Sequence, residues 1–302
     1  MGRIIFTPAS EFTLERVTQA FNRAFMGYYL PMTQTPASLT EMMRENDVRL
    51  EVSIVALLDE YVVGVSLLAI RERRGWIAGM GIDPLWRRQG LGRLLLRAAL
   101  ERLSGAGARI AQLEALAVNT PALTLYSRFG FQDTRELSVY QGLLRFSAQN
   151  ALPTDVPNAG IRPLEVKTAL RHFSEFHMVQ PAWQREERTL AHVQRHLSGL
   201  GLWMGNKLCA YLLYLAQPSG YILYDAGSAA ATGALRQAQL SALLRRLANG
   251  RMGTFARAIN VPPGDPLGDT LDALNCPIIM RQREMALSLG AGEPSQSARG
   301  DR

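Results

Sequence analysis

Arg87-Arg88-Gln89-Gly90-Leu91-Gly92 is the segment whose residue types and spacing point most directly to chemistry. It opens a run in which Leu91, Leu94, Leu95, Ala98 and Ala99 recur at helical spacing up to Leu103, with Gly105 and Gly107 beyond as stops. The first turn of a helix presents N–H groups without intrahelical partners and a partial positive charge, so anions bind there. Gly90 and Gly92 let backbone approach a ligand with no side chain in the way, and Arg87, Arg88 and Arg93 add permanent positive charge. A pyrophosphate suits such a place. The hexapeptide by itself also suits a plain tight turn before a helix, because a glycine pair is a weak motif.

The neighbouring elements must hold that loop in position. Residues 53–58 and 61–71 are rich in Val, Ile and Leu and separated by Asp59-Glu60, which predicts a hairpin. Residues 76–82 follow the turn at Arg74-Gly75 as a third antiparallel strand, in which Gly79 and Gly81 suggest a bulge or a close backbone approach. The spacing thus predicts strand, loop and helix over 76–103. A strand at 109–118 leads into the helix start Asn119-Thr120-Pro121, a short helix to Arg128 and a stop at Gly130, with final strands over 131–140. Upstream, helices at 14–25 and 38–44 flank an irregular segment, 26–37, that carries Tyr28 and Tyr29.

With these residues in view, the first half resembles the GCN5-related N-acetyltransferase superfamily. The hexapeptide matches that family's Gln/Arg-x-x-Gly-x-Gly/Ala signature. Met80-Gly81-Ile82-Asp83-Pro84-Leu85-Trp86 looks like its preceding strand and turn, and Leu113-Glu114, Asn119, Ala122, Leu125-Tyr126 and Phe129-Gly130-Phe131 look like its later signature. The resemblance implies an N-acetyltransferase that moves an acetyl group from acetyl-CoA to a primary amine of a small molecule, amino acid or peptide by direct attack. It needs no metal.

The implied roles follow position by position. Met80, Gly81 and Ile82 would offer backbone N–H groups to the thioester and pantetheine, with Ile82 stabilising the oxyanion. Arg87, Arg88, Gln89, Gly90, Leu91, Gly92 and Arg93 would hold the pyrophosphate. Asn119 and Ala122 would meet the cofactor arm. Tyr126 would protonate the departing thiolate, or be simply a packed aromatic, and Glu114 would take the amine proton, or be simply a solvated strand carboxylate. Tyr29 would line the acceptor pocket, or be a core aromatic. Two rival readings keep the same loop: a non-catalytic acyl-CoA sensor, and a tandem acyltransferase with a different acyl donor, as in mycothiol synthase or the aminoacyl-tRNA-dependent cell-wall transferases.

The chain of 302 residues exceeds one ordinary domain, and the pattern restarts after a linker-like stretch at 147–160. A first strand at 161–164, a hairpin over 202–205 and 208–215, a strand at 221–226, a helix at 235–247, a strand at 254–259 and a closing strand pair over 278–288 repeat the first half. The expected architecture is therefore α/β with two tandem GNAT-like domains, each a mostly antiparallel mixed sheet flanked by helices: a catalytic domain at 1–146, a degenerate copy at 161–288 and a disordered tail at 289–302. The copy lacks arginines in residues 225–234, Asp225 adds a negative charge there, and Asn260 resembles Asn119 with no tyrosine to match Tyr126. Tyr211, Tyr214, Tyr221 and Tyr224 are expected as contacts of the substrate cleft or of a homodimer.

Bulk properties exclude several classes. The net charge is +7, but residues 1–150 carry 17 basic and 14 acidic side chains and residues 151–302 carry 16 and 12, so no basic cluster argues for nucleic acid. No apolar run reaches membrane length, and the start breaks at Pro8 before a signal core forms, so a cytoplasmic protein with no membrane partner is expected. Cys209 and Cys276 are expected to be reduced. His192 and His196 have a metal-compatible spacing, but Val193 stands where a zinc protease carries glutamate.

Overall fold

In the computed structural model the described residues are 3–146, 159–248 and 254–290. Along the first stretch run β1 (Ile4–Pro8), α1 (Leu14–Ala24), α2 (Pro36–Glu45), β2 (Ile54–Leu58), β3 (Tyr61–Arg71), β4 (Arg74–Ile82), α3 (Leu91–Gly105), β5 (Ile110–Leu116), α4 (Thr120–Arg128) and β6 (Gln132–Leu144). Then come β7 (Ala159–Pro163), α5 (Val166–Arg171), α6 (Phe173–Phe176), α7 (Glu187–Val193), β8 (Ser198–Met204), β9 (Lys207–Gln217), β10 (Gly220–Ser228), α8 (Gly233–Leu247), β11 (Thr254–Val261), α9 (Pro266–Ala273) and β12 (Ile278–Ser288). The closing segment is thus one strand and not the expected pair.

The chain forms two compact units, and strand pairing rather than linker composition divides them. Unit 1 holds residues 3–115, 119–134 and 284–290; unit 2 holds 116–118 and 135–283 as far as they are described. The end of β12 belongs to unit 1, where Leu289 N–H donates to Arg109 O at 2.8 Å. Most of β6 belongs to unit 2, where it pairs antiparallel with β11. Of the expected linker only Ala159 and Gly160, both in β7, lie among the described residues, and of the expected tail only 289–290 do.

In unit 1, β1, β2, β3 and β4 pair antiparallel in order, and β5 joins β4 in parallel. β3 is buried along almost its whole length because both its faces are covered. One face packs on α3, whose Leu91, Leu95, Leu96, Ala99 and Leu103 enter a core with Ile54, Leu68, Ile77 and Leu113. The other packs on α1 and α2 through Val17, Phe21, Ala24, Leu39, Val65 and Leu67. Each fully buried leucine contributes roughly 1.5–3 kcal/mol. Local chemistry fixes the helix starts. Thr13 caps α1, and Thr35 with Ser38 makes a reciprocal capping box ahead of Pro36 in α2.

Unit 2 repeats this plan with β7, β8, β9 and β10 antiparallel and β11 parallel to β10. α8 and α9 pack on one face, and α5, α6 and α7 on the other. Residues 194–196 leave the α-helix for a 3-10 turn, so His192 and His196 do not share one helix face, and no metal-like cluster occurs among the described residues. Cys209 and Cys276 are both buried and unpaired. Among the described residues no helix is long and apolar enough to cross a membrane.

Candidate active site

The site begins at a bulge. β4 pairs with β3 as Ile77↔Leu68 and then Gly79↔Leu67, leaving Ala78 as the extra residue. Gly79 and Gly81 then both lack a side chain toward α1. A Cβ on Gly81 would meet Ala24 O at 2.9 Å, and one on Gly79 would meet the Phe21 and Phe25 rings at 3.3 and 3.4 Å. These glycines let α1 lie directly on the strand. The close approach expected there is thus made by the protein's own helix.

The same strand then separates from its other neighbour. β4 and β5 pair only as Arg74↔Ile110, Gly75↔Ala111 and Trp76↔Gln112, and both strands run on without further pairing. Backbone N–H groups alternate in direction along a strand. Asp83 N–H donates to Val63 O on β3 at 2.9 Å, so the Ile82 and Met80 N–H groups face the wedge that opens toward β5. The Gly81 N–H faces β3. Of the three backbone donors expected, two therefore point into the opening.

At the end of β4 the loop reaches α3. Gly90 is the N-cap with φ of 80° and has no side chain to occupy the first N–H groups of the helix. Arg88 is also left-handed at φ 65°, a conformation most non-glycine residues avoid. A Cβ on Gly92 would find nothing closer than Leu125 at 3.7 Å. Open donors, two left-handed residues and bare space at Gly92 fit a diphosphate. Arg87 has a further role. Its Nε donates to Ile82 O at 2.9 Å and its Nη2 to Ala24 O and Met26 O at 3.0 Å each, so it also fastens the loop to the end of α1. Arg88, Gln89 and Arg93 remain exposed around the helix start.

Across the wedge, Asn119 caps α4 by accepting from Ala122 N–H at 3.4 Å, and its side chain lies near Tyr28. Tyr126, on the same helix, is buried and packs edge-on against Phe131 with ring centroids 5.8 Å apart. Burial, and then the nearby Tyr28, push the Tyr126 phenol well above its ordinary value. It stays protonated across the physiological range. Tyr28 is itself raised by burial, partly offset by the nearby Asn119 side chain. Glu114 lies on the face of β5 opposite Leu113 and Ala115, and its Oε2 accepts from the Trp76 indole N–H at 2.7 Å.

The structure thus brings Met80, Ile82, Asn119, Ala122 and Tyr126 to the two sides of one opening, with the Gly90–Gly92 helix start at the end of β4. Tyr29 stands outside the group. It is 54% exposed and packs edge-on against Tyr28, with ring centroids 5.5 Å apart. Tyr28 and Trp76 are the residues that sequence reasoning passed over. Tyr28 had a signal, since an aromatic pair in an irregular segment has one member turned inward; Trp76 had none, because its partner lies 38 positions away.

Residues 14–131 match the sequence pattern described as the Acetyltransferase (GNAT) family. The match marks this segment as similar to that family. Members of that family are generally acyl-CoA-dependent N-acetyltransferases. No curated protein sequence matches the chain. Among solved structures, a tandem GNAT protein from the clavulanic acid biosynthesis pathway aligns over 97% of this chain and 100% of its own, with TM-score 0.66 and 14% identity. A GCN5-related N-acetyltransferase from Sphaerobacter thermophilus aligns over 94% and 95%, with TM-score 0.64 and 12% identity. One from Anabaena variabilis covers 94% of this chain and 72% of its own, with TM-score 0.64 and 15% identity. At such identities the likeness is one of fold, and it extends over both units.

Unit 2 carries its own version of the wedge. β10 bulges at Tyr224, between Leu223↔Tyr214 and Asp225↔Leu213, and pairs with β11 only at Tyr221↔Ala256 and Ile222↔Arg257. By position in the strand, Asp225 occupies the place of Gly79. It is fully buried and does not face the α8 loop as expected: its carboxylate meets His177 Nε2 at 3.0 Å, the Tyr211 hydroxyl at 2.7 Å and Arg185 Nη2 at 3.6 Å. Arg185 Nη2 also lies 3.5 Å from Asp265, which caps α9. Asp265, and not the expected Asn260, is therefore the counterpart of Asn119; Asn260 sits in β11 and accepts from Gln282. Tyr211 is wholly buried and cannot be the surface contact expected of it, while Tyr214, Tyr221 and Tyr224 are half-buried.

Proposed function

We propose that unit 1 acetylates a primary amine with acetyl-CoA by direct attack. The observation that carries this reading is the wedge between β4 and β5, with free backbone donors on one side, the Asn119 and Tyr126 pair on the other and an uncapped helix start at its end. In the reaction the amine nitrogen bonds to the acetyl carbon and the carbon–sulfur bond breaks. The acceptor ammonium must first lose a proton, for which Glu114 is the candidate base, directly or through water. As the amide forms the thiolate takes a proton from Tyr126, and the second proton lost by the nitrogen returns that phenolate to the phenol, while Glu114 releases the first proton to solvent. Ile82 N–H would meet the oxyanion. A buried phenol suits the acid role, since it holds its proton until a stronger base forms beside it.

Tyr126→Phe tests this reading against a non-catalytic acyl-CoA sensor, which has no use for a proton donor. With an amine panel and acetyl-CoA, turnover should fall about 10²–10⁴-fold while cofactor affinity is kept. Equal rates in both proteins would remove Tyr126 from the mechanism.

For unit 2 we infer a fold without a working cofactor site. Residues 229–232 are all that join β10 to α8. Thr232 caps α8 by accepting from Leu235 N–H, Ser228 Oγ accepts from Ala230 N–H, and Arg236 folds back onto Ala230 O and Ala231 O. The donors and the cation that a diphosphate needs are already in use.

A further inference from the structure

We propose that the acceptor is a small amine bearing both an apolar or aromatic body and a carboxylate, and that Arg23 selects it; this rests on the acetyltransferase reading of unit 1. A cleft of about 460 Å³ lies in the segment between α1 and α2, at the lower end of the range for small-molecule sites. Phe25, Met26, Leu30, Pro31 and Met32 make most of its wall, and Tyr28 leads from it to Asn119 and Tyr126. α1 and α2 cover the face of the sheet to which Gly79 and Gly81 turn, and Glu114, on the side of β5 away from α3, belongs to that face too.

The cleft is preformed. Asn22 Nδ2 donates to Gln34 O at 2.9 Å and Gln34 N–H donates to Asn22 Oδ1 at 2.8 Å, which ties the two ends of the segment together. Arg87 holds Met26 O from below. Binding therefore pays little for ordering the wall.

Arg23 is the one charged side chain that lines this cleft, and no carboxylate lines it. Its Nε donates to Asp83 Oδ2 at 2.7 Å, and Asp83 is itself buried and fixed by Leu85 N–H at 3.0 Å. That bond orients the guanidinium while its side chain stays 56% exposed. An oriented guanidinium presents a planar pair of donors that matches a carboxylate, as a lysine does not. The same residue also borders a neighbouring cavity of about 230 Å³, lined by Arg16, Glu60, Tyr61 and Trp86 among others, where Glu60 and Arg16 offset each other and Arg23 remains the charge facing the larger cleft. A polyamine would meet repulsion here and an apolar amine would leave Arg23 unused. An apolar amino acid satisfies both halves of the site.

Phenylalanine, phenylalanine amide, phenethylamine and spermidine form a matched panel for steady-state acetylation. The free acid should exceed its amide in kcat/KM by about 10–100-fold, the worth of a charge-assisted hydrogen bond. Arg23→Gln should erase that difference by raising KM for the acid alone, and Arg23→Lys should restore only part of it. Equal use of acid and amide, a preference for spermidine, or a rise in KM for acetyl-CoA in place of the acceptor would overturn the inference. Absence of turnover with every amine would sink the acetyltransferase reading instead. Direct titration then decides for Arg23: N-acetylphenylalanine should bind the wild type at least tenfold more tightly than its amide and lose that advantage in Arg23→Gln, and equal binding overturns the assignment.

Discussion

At the bulged strand the two units share a register and differ in what fills it. In unit 1, Gly79 leaves the strand bare for α1, and the wedge beyond Trp76 is bordered by free N–H groups, Asn119 and Tyr126. In unit 2, Asp225 at the matching position gathers His177, Tyr211 and Arg185, and Arg185 reaches on to Asp265 at the cap of α9. Where unit 1 sets the neutral Tyr28 beside the Asn119 cap of α4, unit 2 ties its helix connection to the α9 cap by a buried ion pair. The helix starts differ in the same sense: glycine leaves the donors of α3 open, and threonine closes those of α8. One backbone plan can therefore hold a ligand or lock itself, depending on whether its inward positions are empty or charged.

The largest effect is expected from removing the charge at the centre of the lock. Asp225→Ala leaves Arg185 and His177 buried without their shared partner, which typically destabilises by about 3–5 kcal/mol. Denaturant titration reads this directly, and a midpoint equal to that of the wild type would mean that the network holds nothing together. The reverse exchange, Gly79→Asp, presses an unpaired carboxylate against Phe21 and Phe25 and should lower stability as well.

A smaller effect separates the two helix starts. At 100 times its dissociation constant, acetyl-CoA stabilises a protein by about 2.7 kcal/mol, enough for a thermal shift. Gly92→Glu puts bulk and negative charge at the open start of α3 and should abolish that shift, whereas Gly233→Glu at the capped start of α8 should leave it intact. Calorimetric titration should count one acetyl-CoA per chain. Two equivalent sites would end the contrast between the units.

The lock should also show in the pH dependence of stability. Burial alone would lower His177, but the charge and hydrogen bond of Asp225 outweigh it and hold the imidazole up at about 9, against 6.5 when free. A raised value means that the folded state grips the proton more tightly, so this contribution is whole below pH 6.5 and drains away as pH rises through 9. Burial alone would raise Asp225, yet His177 and Arg185 keep it below 3.8, so its contribution is present above that value and is lost on acidification. The slope between pH 6.5 and 9 should disappear in His177→Gln. An unchanged slope would assign it to other groups.

Smallest is the share of Trp76. Trp76→Phe removes the donor to Glu114 but keeps the ring, so turnover should fall about tenfold while the acetyl-CoA shift is unchanged. A variant as fast as the wild type would show that Glu114 needs no such support.

The amino-acid sequence alone determined most of the elements and the loop that joins β4 to α3. Alternating and helical periodicities, Pro121 at a helix start and glycines after helix ends are local signals, set by the steric limits of a few adjacent residues. The loop at residues 87–92 was legible for the same reason, since its donors and charges are all contributed by one short segment. The tertiary structure decided everything that joins distant positions. Arg87 sits in that loop, yet its guanidinium also reaches Ala24 O and Met26 O, more than sixty residues upstream. Asp225 looked like a loop charge, yet alternation along a bulged strand turns it inward, where His177 and Arg185 arrive from a separate connection. The exchange of β6 and β12 between units was equally illegible, because strand order is chosen by competition among pairings that one strand's pattern does not reveal.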